Sequence, residues 1–201
     1  MFSIKESIMY GWEKTKKHME LALYSTLLIL AISWLAGGLS SIGLIILIFM
    51  IIVNIGYTKI FLKMNDGENP KFSEIFDEYK TFWRYLGTCM LLILIIVSGL
   101  VLFIIPGIFW AVRFAFASLI VIDTKLGPKA ALKESWAITK GSFWKILWFC
   151  IISSFANFLG AVLAGVGLLV TIPVTTFAFI YFYRWLSQKK AGLATTSPQV
   201  V

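Results

Sequence analysis

Charge is what this sequence has least of: Asp, Glu, Lys and Arg make up 14% of its 201 residues, against about a quarter in a soluble domain. With 59% apolar residues, the chain has too little polar surface to face water, and the composition predicts an integral membrane protein. Cysteine is equally sparse. Cys89 and Cys150 both fall inside apolar runs, which argues against a disulfide framework and predicts two reduced packing residues. The single histidine, His18, stands beside Lys16 and Lys17, where a structural or interfacial role outweighs catalysis. No cluster of His, Cys and carboxylates has the spacing of a metal site. Neither a G-x-x-x-x-G-K-[ST] phosphate loop nor a G-x-S-x-G elbow occurs. Glu74, Asp77 and Glu78 interleave with Lys80 and Arg84, the pattern of a solvated helix face. These absences predict a protein that is not an enzyme and needs no metal or cofactor.

What the chain has in abundance is apolar length. Runs extend from Leu21 to Ala36, Ile42 to Phe61, Leu86 to Ile105, Gly107 to Ile122, Ile146 to Ala164 and Val166 to Trp185. A span needs roughly 20 residues, so these are six candidates, grouped in three close pairs. The turns inside the pairs, Gly37-Gly38-Leu39-Ser40-Ser41, Pro106-Gly107 and Ala164-Gly165, carry no charge and contain helix breakers. Each pair therefore predicts a tight helical hairpin. All 10 acids and every one of the 18 cations except Arg113 fall toward the other face. Basic residues in short loops stay in the cytoplasm, so the expected site is the inner (cytoplasmic) membrane with both termini cytoplasmic. The first 20 residues carry Lys5, Glu6, Glu13, Lys14, Lys16, Lys17 and Glu20, which predicts a retained N-terminus rather than a cleaved signal.

An amphipathic stretch precedes each pair. The first offers Ile4, Ile8, Trp12, Thr15 and Met19, opened by a Ser3/Glu6 capping box. The second offers Phe72, Ile75, Phe76, Tyr79, Phe82 and Trp83, and the third Leu132, Trp136 and Phe143. Such helices are expected in the cytoplasmic interface, either as plain connectors or as lipid sensors. The same order of parts three times predicts an internal repeat. A shift of 61 places Phe82-Trp83-Arg84 on Phe143-Trp144-Lys145, Cys89 on Cys150 and Gly99 on Gly160. A shift of 128 places Lys5-Glu6-Ser7 on Lys133-Glu134-Ser135, Lys17 on Lys145 and Gly37 on Gly165. The expected architecture is an all-α membrane bundle of six spans with pseudo-threefold symmetry about the membrane normal. It comprises repeats over about 3–64, 72–125 and 129–186 in one membrane domain, residues 1–186, followed by a disordered tail over 187–201.

Within the spans Arg113 stands out, about six residues beyond Pro106-Gly107 in the fourth run, roughly 9 Å below the outer surface at helical rise. An ionisable residue at that depth is a functional candidate by default. Its alternative role is an anchor that snorkels outward. Asp123 lies ten residues away, too far along one helix to pair with it. Small residues at i, i+4, namely Gly160/Ala164, Ala161/Gly165 and Ser33/Gly37, predict close helix approach. Asn54, Asn157, Thr171, Thr175 and Thr176 read as scattered interhelical hydrogen bonds rather than a conduit, and Pro173 as a kink.

The run Ile105-Pro106-Gly107-Ile108-Phe109-Trp110-Ala111-Val112-Arg113-Phe114, with Asp123, Leu126-Gly127-Pro128, Ser135-Trp136, Thr139-Lys140-Gly141 and Phe143-Trp144, resembles a bacterial and archaeal family of uncharacterised six-span proteins. That family includes YciC-like proteins and the membrane domain attached to some glycerophosphoryl diester phosphodiesterases. The resemblance covers about 40 residues by motif, and the earlier Phe72-Ser73-Glu74-Ile75-Phe76 resembles the family's short aromatic helix. It implies a helical bundle but no catalytic residue, because the phosphodiesterase chemistry belongs to a soluble barrel this chain lacks.

The function expected from the residues is non-enzymatic binding or organisation of membrane lipid, anionic lipid in particular. Its tentative contacts are Arg113, a ring of Lys17, Arg84 and Lys145, and the basic cluster Lys14, Lys16 and Lys17. The alternatives are transport of a small amphiphile through a central cavity, with Arg113 holding an anionic group, and an accessory role beside a membrane protein partner. Nucleic acid is not an expected partner.

Overall fold

The computed structural model describes residues 4–38, 43–162 and 165–192. Among these residues every regular element is helical: α1 (Ile4–Lys17), α2 (Met19–Gly38), α3 (Gly43–Asn65), a 3-10 helix η1 (Phe72–Thr81), α4 (Phe82–Leu102), α5 (Ile104–Arg113), α6 (Ala117–Thr124), α7 (Pro128–Ile138), α8 (Phe143–Val162) and α9 (Leu168–Lys190). Five stretches are long and apolar enough to cross a bilayer: Ile48–Asn65, Phe82–Val101, Ile104–Thr124, Phe143–Val162 and Leu168–Lys190. Met19–Ser33 in α2 is a shorter apolar stretch. The chain is a multi-pass helical membrane protein.

Its outer faces agree with that medium. Met90, Leu94, Val97 and Val101 on α4, and Ile151, Phe155, Phe158 and Val162 on α8, form exposed apolar stripes at helical spacing. Trp83 and Trp144, at the charged ends of the same helices, are 76% and 69% exposed, as ring systems at a membrane–water boundary are. The core is aromatic. Phe61, Phe116, Phe149, Phe177 and Phe182 are fully buried, and their rings run from Tyr57–Phe61 through Phe61–Phe177 at centroid distances of 4.3 and 4.6 Å.

Glycine sets the closest approaches. In α4–α5 a Cβ on Gly99 would come within 2.9 Å of the Gly107 Cα, and in α8–α9 one on Gly167 would come within 2.7 Å of the Gly160 Cα. Both pairs are pinched where no side chain fits. Ser33 is exposed and donates to the Ile29 carbonyl at 2.8 Å, so it makes no such seam. The pairings that involve 34–47, including the Gly37–Ser41 turn, and Ala164 lie outside the described side chains or residues, as does Ser3 of the capping box.

The segments that precede the spans do more than connect. α1 rests on α9, where a Cβ on Gly11 would overlap the Val174 carbonyl oxygen; η1 rests on α3, where a Cβ on Gly56 would overlap the Ile75 carbonyl oxygen; α7 rests on α6 and on the Arg113 carbonyl. α1 is followed directly by α2, and His18 between them donates its N–H to the Lys14 carbonyl and accepts at its own carbonyl from the Ala22 N–H.

Two expectations about element limits change. The fourth run is not one helix: it breaks at residues 114–116 between α5 and α6. At the other end, α9 continues to Lys190, beyond the boundary expected at 186. Lys189 donates to Ser142 Oγ at 3.1 Å and Lys190 pairs with Glu134 at 2.6 Å, and these ties hold the last turn in helical form.

Candidate functional site

The polar residues expected to be scattered converge instead. Asn54, Asn157, Thr175 and Thr176 line one cavity of about 440 Å³, walled by α2, α3, α4, α6, α8 and α9. Thr171 lies off it, against Gly160, with its hydroxyl unpartnered. The fold assembles this cluster from five helices, α3 and α8 giving three polar positions each, α9 two, and α4 and α6 one each. Ten of the 18 lining residues carry a hydroxyl or an amide, and none carries a charge. Some of these groups pair among themselves: Tyr85 Oη donates to Asn54 Oδ1 at 3.3 Å, and Asn157 Nδ2 to Thr175 Oγ1 at 3.3 Å. Ser153 Oγ, on the α8 wall, is buried without a hydrogen-bond partner among the described residues. Asn54 and Ser154 are exposed, so the cavity is open rather than sealed. It suits a ligand that is largely apolar and carries an uncharged hydrogen-bonding group.

Below the cavity the helix ends are tied by charge. Arg184 Nη1 and Nη2 donate to the two oxygens of Asp123 at 2.8 and 3.1 Å, and Nη2 donates also to Asp66 at 2.6 Å. Tyr183 Oη donates to Asp123 Oδ2 at 2.8 Å. One guanidinium thus joins α9, α6 and the end of α3, with a two-pronged grip on Asp123. Nothing in the local spacing signals this network, since its members lie 57 and 61 residues apart.

Arg113 does not line the cavity, which removes it from the role of holding a ligand there. The break after it frees its carbonyl, which accepts from Ser135 Oγ at 3.0 Å and Thr139 Oγ1 at 3.2 Å. Hydroxyls supplied by α7 thereby stabilise an interruption that bare lipid would not tolerate. Its guanidinium meets rings and no acid: Cζ lies 5.2 Å from the Phe109 centroid and 4.9 Å from that of Trp136, while Nε and Nη1 are buried with no hydrogen-bond partner among the described residues. Cation–ring contacts contribute about 0.5–2 kcal/mol each, less than the roughly 3–5 kcal/mol that stripping a buried charge of its partner costs. The partner rings belong to α5 itself and to α7. Phe109, one of those rings, in turn meets Phe143 at 5.4 Å.

The remaining candidates separate. Arg84 Nη1 donates to the Lys125 carbonyl, Lys145 lies 5.3 Å from the Trp185 ring, and Lys17 is exposed beside His18. No contact joins the three among the described residues. Lys16 covers Trp12 at 4.9 Å, while Lys14 is buried, 3.5 Å from the Asn65 carbonyl. Burial and the neighbouring Lys17 push the Lys14 ammonium below its usual range, and Asp66 partly opposes them. His18 is held below its ordinary value by burial, Lys14 and Lys17. Glu74 bonds Lys63 at 2.5 Å and the Lys71 N–H at 2.8 Å, which lowers its carboxyl and ties η1 to α3. The Asp77 and Glu78 side chains lie outside the described residues. Gly127 and Pro128 form the α6–α7 corner: Lys125 caps α6 in the left-handed region and Pro128 occupies the first turn of α7.

Comparison with known proteins gives no match, whether with a family model, a curated protein or a solved structure.

Proposed function

We propose that this chain is a non-enzymatic inner-membrane protein that binds a membrane lipid, its central cavity receiving the lipid's uncharged polar part. The observation that carries the reading is the 440 Å³ cavity itself, uncharged, rich in hydroxyls and amides, and set inside an apolar bundle. The Ser153 hydroxyl on its wall, with no partner among the described residues, offers a hydrogen bond to a ligand. The test is native mass spectrometry of the full chain extracted with its own lipids. Wild type is expected to carry lipid that Ser153→Trp, which fills the cavity, has lost; equal retention in the two proteins contradicts the reading.

The architecture that goes with it has six spans, α2 completing the set, both termini cytoplasmic, and pseudo-threefold order. Three correspondences support that order. Gly56, Arg113 and Val174, on which η1, α7 and α1 rest, each precede by ten residues Asp66, Asp123 and Arg184, which meet in one ion network. The dockings follow a cycle, each pre-span segment resting on the last span of the unit before it and α1 on that of the third. Gly99/Gly107 and Gly160/Gly167 pinch two hairpins alike. The resemblance to the YciC-like family is consistent with this layout and rests on its motif alone.

Transport of a small amphiphile is a second reading. It is favoured by the break between α5 and α6 and by Pro173 inside the continuous α9, which border the cavity walls at Ser118 and Ile172. Flux in liposomes that falls in Asn157→Leu at equal incorporation supports it; unchanged flux removes it.

A further inference from the structure

Arg113 is a cation with no anion. Two of its three guanidinium nitrogens are buried and unbonded among the described residues, and Nη2, also unbonded, is not sealed in. The next acid along the chain, Asp123 on α6, is committed to Arg184 and Tyr183. The backbone beneath it is fixed by Ser135 and Thr139, so the side chain is presented rather than loose. Trp136, 38% exposed, closes one side of it, and Lys140, four residues beyond Trp136 in the chain, is exposed. Exposed Ile108 on the same helix provides an apolar approach.

We infer that Arg113, held between Phe109 and Trp136, is a binding site for the phosphate of an anionic glycerophospholipid, separate from the central cavity. Nη2, the guanidinium nitrogen that is not sealed in, can donate to a phosphate oxygen, and rings on either side exclude water from the pair. The acyl chains then lie along the exposed apolar flank of α5. This site deepens the lipid-binding reading above and names a lipid class for a second position.

The experiment uses the full chain, delipidated in neutral detergent, titrated with phosphatidylglycerol, with diacylglycerol of the same chains, and with inorganic phosphate, following melting temperature and bound mass. Phosphatidylglycerol is expected to raise the wild-type melting temperature, with affinity about tenfold weaker in Arg113→Gln, the loss of one charge-assisted pair. Trp136→Ala, which keeps the charge and opens the cage, is expected to weaken it as well, should the first variant fold poorly. Phosphatidylglycerol binding that is unchanged in both variants overturns the site. Inorganic phosphate that reproduces the full Arg113-dependent shift overturns the lipid assignment, leaving a soluble-anion site. Diacylglycerol binding is expected to be indifferent to Arg113→Gln and lost in Ser153→Trp; if wild type binds no diacylglycerol, the cavity reading fails while the phosphatidylglycerol arm still decides Arg113.

Discussion

Gly11 and Gly56 do work that no side chain can. At each, a Cβ would strike backbone, which cannot swing aside as a side-chain tip does. Gly56→Val is therefore expected to cost at least the 1–3 kcal/mol of ordinary overpacking, read as a lowered melting temperature in detergent with η1 released to proteolysis. Neither glycine stands out in the sequence, because a glycine inside an apolar run signals a close approach without naming its partner. His18 is expected at the interface from its lysine neighbours, and the structure adds a sign to its titration. Its folded-state value lies below the ordinary one, through burial first and then Lys14 and Lys17. Between the two values the unfolded chain binds more protons, so this stability is fully present above the ordinary histidine value and falls as pH drops through that window. His18→Gln is expected to flatten the slope of stability against pH there; an unchanged slope assigns it to other groups.

Among the elements, the break between α5 and α6 is the feature that periodicity could not supply. The run from Gly107 to Ile122 is apolar throughout, and nothing in it marks residues 114–116 as the place where helix stops. The signal lay elsewhere in the chain, in Ser135 and Thr139 at i, i+4 on α7, both fully buried and both donating to the Arg113 carbonyl. Replacing them as Ser135→Ala with Thr139→Val leaves that carbonyl unsatisfied at a cost of about 1–3 kcal/mol, measurable as faster hydrogen exchange across 114–117. The three pre-span segments were legible in the sequence as stretches that interleave apolar residues with charges. Their docking on α9, α3 and α6 was not, because a face that suits a lipid surface suits an apolar helix equally well.

For the whole molecule, composition and runs of apolar residues were enough to place the chain in a membrane, because bilayer thickness imposes a length that sequence displays directly. The ion network and the cavity needed the fold, as their members come from helices far apart in the chain. Arg184 is central to the first: its side chain is 27% exposed and that of Asp123 13%. Asp123→Ala is expected to destabilise the bundle by about 2–3 kcal/mol, less than the 3–5 kcal/mol of a fully buried pair because some solvent screening remains. A parallel loss in Asp66→Ala, smaller because Asp66 is 42% exposed, fits one guanidinium shared by three helices.

The cavity is the centre of this account. Its most direct test is an electron cryomicroscopy structure of the full chain in native-lipid nanodiscs, made large enough by a rigid antibody fragment bound outside the bundle. The expected map has elongated density in the cavity with a polar end within hydrogen-bonding distance of Ser153 or Asn157. A cavity that is collapsed, or that holds only water, contradicts lipid binding there.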